Sequence, residues 1–162
     1  PMTFPRLLPL ALLALSSVFV TGCGKKADHD HAHSHGHSHT APHGGTLVEL
    51  GDHQFNLEFI LDSAAGKLTA YVLDGHAENF IRLETQTIEI NVTSPAPART
   101  LILNATANSA TGETVGSTSQ FEASVDWLKG VNSLSGTVAR VDVRGANFLK
   151  VPVTITKKSA AH

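Results

Sequence analysis

From Thr46 onward the chain alternates apolar and polar residues with a period of two. Phe55, Leu57, Phe59 and Leu61 alternate with the mostly polar Gln54, Asn56, Glu58 and Asp62. Ile88, Ile90 and Val92 alternate with Thr87, Glu89 and Asn91, and Leu101, Leu103 and Ala105 form a further set, as do Phe121, Ala123 and Val125. Toward the end, Ala139, Val141 and Val143 alternate with Arg140, Asp142 and Arg144, then Leu149, Val151, Val153 and Ile155 with Lys150, Pro152 and Thr154. Successive side chains of a strand point to opposite faces, so each run predicts a half-buried strand of an antiparallel sheet. Pro152 donates no ladder hydrogen bond and belongs on an edge strand. The one helical segment expected is a single turn around Asp126-Trp127-Leu128-Lys129. About eight short strands separated by Gly, Pro, Ser and Asn predict an all-β domain over 46–157. The expected form is an antiparallel, Ig-like β-sandwich, with a small β-barrel as the alternative.

Parity also predicts the register of the last hairpin. If Val141 and Val143 share the core face with Leu149, Val151 and Val153, paired residue numbers must sum to an even number, because opposed residues project to one side. A three-residue loop, Gly145-Ala146-Asn147, meets that condition. It pairs Val143 with Leu149 and Val141 with Val151, and turns Phe148 away from the core.

The first 45 residues carry no such alternation. An apolar run from Leu7 to Val20 is shorter than the ~20 residues of a spanning helix and matches a signal-peptide core. Pro1 before Met2 reads as a start-site or fragment artefact. The run ends in Val20-Thr21-Gly22-Cys23, so residues 1–22 are expected to be a lipoprotein signal peptide, with Cys23 acylated after cleavage. Cys23 is the only cysteine, so no intrachain disulfide can form. Once it is acylated and the leader has taken Met2 with it, no sulfur ligand remains. Thiolate zinc sites, iron–sulfur clusters and blue-copper centres are therefore disfavoured.

Residues 23–45 read as a lipid-anchored, disordered, His-rich linker, and residues 158–162 as a disordered tail. Within the linker, His29, His31, His33, His35, His37 and His39 occupy every second position. The intervening residues are small or acidic, so a flexible chain can wrap several imidazoles around one ion at ~2.0–2.1 Å. Imidazole suits Zn²⁺, Ni²⁺ and Cu²⁺. Six equivalent ligands define no single geometry, so the bound metal should be labile. No organic cofactor is indicated. The twenty-residue reach from Cys23 to His43 spans ~25 Å on average.

A second group is more scattered. His43, His53 and His76 have acidic neighbours in Glu49, Asp52, Glu58, Asp74 and Glu78. His53 shares the parity of Phe55 and Leu57, and His76 follows Asp74-Gly75 in an expected turn. Together they describe a possible secondary metal site, with His43 as the hand-off residue. The same spacing also fits three unrelated surface histidines.

The chain carries a formal charge of −2 with its ten histidines neutral. It has no basic stripe, so nucleic acid is not an expected partner. There is no H-E-x-x-H, no G-x-S-x-G and no phosphate-cradling glycine loop. His76-Ala77-Glu78 matches the H-x-E of zinc deaminases, but the P-C-x-x-C those enzymes need is absent. An enzyme is not expected.

The run Ala41-Pro42-His43-Gly44-Gly45-Thr46-Leu47-Val48-Glu49-Leu50-Gly51, with Asn56-Leu57-Glu58-Phe59 and Tyr71-Val72-Leu73-Asp74-Gly75, resembles a group of small bacterial envelope lipoproteins. It is similar, more loosely, to the start of periplasmic adaptor subunits of heavy-metal efflux pumps. The resemblance covers about residues 41–75 and implies a periplasmic β domain tied to metal homeostasis. It does not imply an adaptor, because the long helical hairpin and the lipoyl-like and barrel domains of adaptors are missing. Gly24 is not the aspartate that retains many lipoproteins at the inner membrane, so by resemblance the outer membrane is favoured.

The expected function is therefore divalent metal binding by an envelope lipoprotein, for buffering, resistance or delivery to an efflux pump or adaptor. The alternative is a non-enzymatic envelope interaction module whose His-rich segment is only a spacer.

Overall fold

A computed structural model describes residues 39–157 of this chain. The signal peptide, Cys23, His29 to His37 and the tail at 158–162 lie outside those residues. Each alternating segment becomes a strand, and two further strands complete the set. The order is β1 (Thr46–Leu50), β2 (Phe55–Asp62), β3 (Lys67–Asp74), β4 (Thr87–Ser94), β5 (Arg99–Ala105), β6 (Gln120–Ser124), β7 (Ser133–Val143) and β8 (Ala146–Thr156). The single helical turn is a 3-10 turn, Asp126–Leu128.

All eight strands belong to one antiparallel sheet in the order β1-β2-β3-β6-β5-β4-β7-β8. The sheet curls until its two edges meet. Thr156 N–H donates to Thr46 Oγ1 at 3.3 Å, and Leu61 bridges Lys157. The all-β domain is thus a nearly closed barrel, the alternative architecture, and not two facing sheets. Strand parity tells which face is buried in either case, so it cannot separate the two. Phe59, Phe121, Leu61, Leu103, Ile90 and Leu134 fill the interior and are all fully buried. Each such side chain contributes about 1.5–3 kcal/mol of burial free energy. Pro152 does lie on an edge strand, opposite Thr137.

The last hairpin differs from its expected register. Val143 pairs with Ala146, Val141 with Phe148 and Arg140 with Leu149. The turn is the two-residue Arg144-Gly145, with φ of 48° and 85°, the doubly positive form that suits the twist of a hairpin. The two strands then kink together. Leu134 and Val138 face inward with Val151, Val153 and Ile155, whereas beyond Ala139 the inward residues are Val141, Val143 and Phe148. Lys150, at φ 50°, interrupts the pleat. Phe148 consequently packs on the core, edge-on to Phe55 at 6.2 Å, and Leu149 is 60 % exposed.

β2 and β3 are buried on both faces. Asn56, Glu58 and Thr69 are buried although they lie on the polar side. Residues 41–45 lie over that outer face, and Phe80, from a segment that bridges the end of β3 at Leu73, packs its ring beside Tyr71 and His43.

Candidate metal centre

The chain entering the barrel is clamped by one carboxylate. Glu58 projects from the outer face of β2, between Leu47 of β1 and Tyr71 of β3, and its side chain is completely buried. Its Oε1 accepts the His43 N–H at 2.8 Å and the Gly45 N–H at 2.9 Å. Its Oε2 lies 2.8 Å from His43 Nδ1. A Cβ at position 45 would collide with the Phe59 carbonyl, so the second glycine of His43-Gly44-Gly45 permits this close approach. The His43 ring stacks on Tyr71 at 4.1 Å and tilts against Phe80 at 5.5 Å. Burial, followed by the charge of Glu122, raises the Tyr71 phenol above its ordinary pKa; Lys67 opposes this, and Glu58 and Glu113 add to it.

A second carboxylate works in the same way nearby. Glu113 accepts the Ser119 N–H and hydroxyl at 2.9 and 2.7 Å and the Thr111 hydroxyl at 2.9 Å. Burial pushes its carboxyl up, but those hydrogen bonds and the Arg82 charge outweigh burial and hold it below the ordinary value. Arg82 also donates to the carbonyls of Thr111 and Gly112. Beside Glu113 lies a pocket of about 290 Å³ lined also by His43, Tyr71, Phe80, Arg82 and Gln120.

The exposed histidines gather at the end of the barrel where β1 turns into β2 and β3 ends. Phe55 pairs with Asp74, which sets the β1–β2 turn beside the loop after β3. Asn56 Nδ2 donates to the carbonyls of Asp74 and Gly75 at 3.0 and 3.1 Å. A Cβ on Gly75 would strike the His53 carbonyl, so a glycine is needed for the two loops to touch. The Asp74 carboxylate accepts the Glu78 N–H at 2.9 Å and Asn79 Nδ2 at 2.6 Å. Desolvation opposes ionisation of Asp74, but these bonds more than offset it and lower its pKa. The turn carrying His76 is thereby fixed.

His53 sits at φ 52°. Its N–H donates to Glu49 Oε1 at 2.7 Å, and its Nδ1 lies 3.4 Å from the same oxygen. Glu49, Asp52 and His53 each place a ligand atom within 4.8 Å of the others. His39 lies between the two loops, its ring centroid 6.5 Å from His53 and 5.8 Å from His76.

The donor set is imidazole and carboxylate, without sulfur, which suits a divalent d-block ion. Two imidazoles on one tetrahedral ion at ~2.0–2.1 Å place their centroids about 5 Å apart. The His39–His76 separation exceeds that by less than about 1 Å and the His39–His53 separation by about 1.5 Å, so the rings must turn inward to share one ion.

Protein-family models, curated proteins and solved structures give no match to this chain. His43, expected beside His53 and His76, has its ring contacts with Tyr71 and Phe80. His39 takes the expected place. Its partners were illegible in sequence because they depend on how the His43-Gly44-Gly45 turn directs the chain. The burial of Glu58 was equally hidden, since a polar residue on a strand's polar face reads as solvent-facing. No helix among the described residues is long and apolar enough to cross a membrane.

Proposed function

We propose that this protein is a non-enzymatic lipoprotein of the bacterial cell envelope, held by an acylated Cys23, with the outer membrane favoured. Its His-x-His segment, His29 to His39, captures divalent zinc, nickel or copper for buffering or for delivery to an efflux pump or adaptor. One observation carries this reading. His39, the last imidazole of the repeat, has its ring against both His53 and His76 on the folded domain. The end of the repeat thus lies beside further imidazoles, which supports a path for metal onto the domain. The hand-off role expected of His43 suits His39 better, because the Nδ1 of His43 is engaged by Glu58.

Zinc titration of the full chain tests the reading, against a variant with His29, His31, His33, His35 and His37 changed to serine. The full chain should take up more than one ion per molecule, and the serine variant should lose most of that uptake. Equal uptake by both would reduce the segment to a solvated spacer and favour the interaction-module alternative.

A further inference from the structure

We infer that His39, His53, His76 and Asp52 form one defined acceptor site for a divalent d-block ion of the zinc class, distinct from the labile ligands of the repeat. This rests on the proposed function for the source of the ion, but the site itself stands on the geometry of the barrel rim.

Its ligands come from three separate segments, and each segment is held. His53 is fixed by its backbone N–H on Glu49. The same carboxylate oxygen lies 3.4 Å from His53 Nδ1, close enough to become its outer-shell acceptor when Nε2 takes a metal. Asp52 supplies oxygen from the same turn, within 4.8 Å of the His53 and Glu49 ligand atoms. His76 follows Gly75, whose contact with the His53 carbonyl admits no side chain, and the Asp74 carboxylate braces the far side of its turn. His39 stands four residues before His43, where Glu58 pins the chain.

Three imidazoles and one carboxylate select against calcium and magnesium, which prefer all-oxygen cages. They fit a four-coordinate zinc-like ion, with imidazole nitrogen at ~2.0–2.1 Å and carboxylate oxygen at ~2.0–2.2 Å.

Prior placement separates the two classes of ligand. The sequence of the repeat gives no means of setting one imidazole against another, so each added ligand there carries a loop-closure cost. At the rim, His53 and His76 are already placed, and only side chains and the short stretch from His39 to Pro42 need adjust. The rim should therefore bind at least about tenfold more tightly than any pair within the repeat. Because His39 belongs to both, an ion can pass from the repeat without release to bulk water, at the high effective concentration of a short tether.

The test is competitive Zn²⁺ titration of the full chain against a chromophoric chelator, with two variants. His53→Asn with His76→Asn removes both fixed imidazoles, and asparagine tolerates the left-handed backbone at 53. An unchanged thermal melt in the absence of metal confirms that the variant is folded. It should lose the tightest site, with that affinity falling at least tenfold, and keep the weaker binding. The serine variant of His29 to His37 should keep the tightest site and lose the weaker ones. An unchanged tightest affinity in the asparagine variant overturns the rim site, whatever the repeat does. Loss of the tightest site in the serine variant also overturns it, by assigning those ligands to the repeat. If only the serine variant is unaffected, the capture reading fails while the rim site stands.

Discussion

Two groups of histidines lie within one end of this barrel, and their carboxylate partners set them apart. His43 meets Glu58, whose side chain has no exposure at all, and its ring is stacked on Tyr71. His53 meets Glu49, and both of those side chains are about half exposed. The distances differ too, 2.8 Å for His43 Nδ1 and 3.4 Å for His53 Nδ1. A buried carboxylate must keep its donors, because an unpaired buried charge is far more costly than an exposed one. His43 is thus committed to holding the chain on the barrel. His39, His53 and His76 have little folding energy tied to their rings and remain free to exchange partners. On the proposed function, the burial of Glu58 makes His43 structural, while the exposure of Glu49 leaves the His53 ring available to a ligand.

The sharpest way to break this contrast is to remove each acid in turn. Glu58→Ala leaves the N–H groups of His43 and Gly45 without their acceptor and frees the entering chain. The expected loss is about 3 kcal/mol, from hydrogen bonds to a charged group. Glu49→Ala should change stability by less than about 0.5 kcal/mol, as exposed substitutions do. Urea unfolding of both variants measures the difference, and equal losses would erase the distinction between the two regions.

Glu113 extends the contrast to pH. Its carboxyl is held below the ordinary value by Ser119, Thr111 and Arg82 against the effect of burial. A depressed carboxyl contributes stability that is fully present above its unfolded pKa, about 4.3. That contribution is lost as pH falls through the lower folded value. Glu113→Gln should cost about 1–2 kcal/mol at neutral pH and should flatten the decline in stability below about pH 4. Acid titrations of the unfolding midpoint report it. A parallel decline in both proteins would show that the carboxylate is not a clamp.

A smaller effect is expected at the rings themselves. His43→Ala should cost about 1–2 kcal/mol through its stacking and hydrogen bond. His76→Asn should stay within about 0.5 kcal/mol. Thermal melts of the two without metal separate them. Serine at His29, His31, His33, His35 and His37 should leave the metal-free melt unchanged, since a linker without a hydrophobic face adds little folding free energy.

These differences mark where sequence was readable. Alternation located Leu57, Phe59 and Leu61 on one face because a single strand decides that locally. Pro152 at an edge and the turn at Asp126 followed from equally local chemistry. Closure into a barrel did not, because it depends on β8 reaching β1 and β2. The β7–β8 register was misread because the turn takes Arg144-Gly145 rather than three residues, and because parity assumes an unbroken pleat, which the left-handed Lys150 interrupts. At the site, the His-x-His repeat and the acids around His53 were visible as residue types. His53 and His76 were grouped from sequence with the wrong third histidine, because only the fold shows that Glu58 holds His43 and leaves His39 beside them.

The central claim is that metal reaches the rim histidines and leaves His43 in place. Zn²⁺ titration followed through assigned histidine ring resonances tests it most directly. At less than one equivalent, the signals of His39, His53 and His76 should shift together while those of His43 stay still. Early movement of His43, or shifts confined to His29 through His37 with the rim silent, would contradict the account.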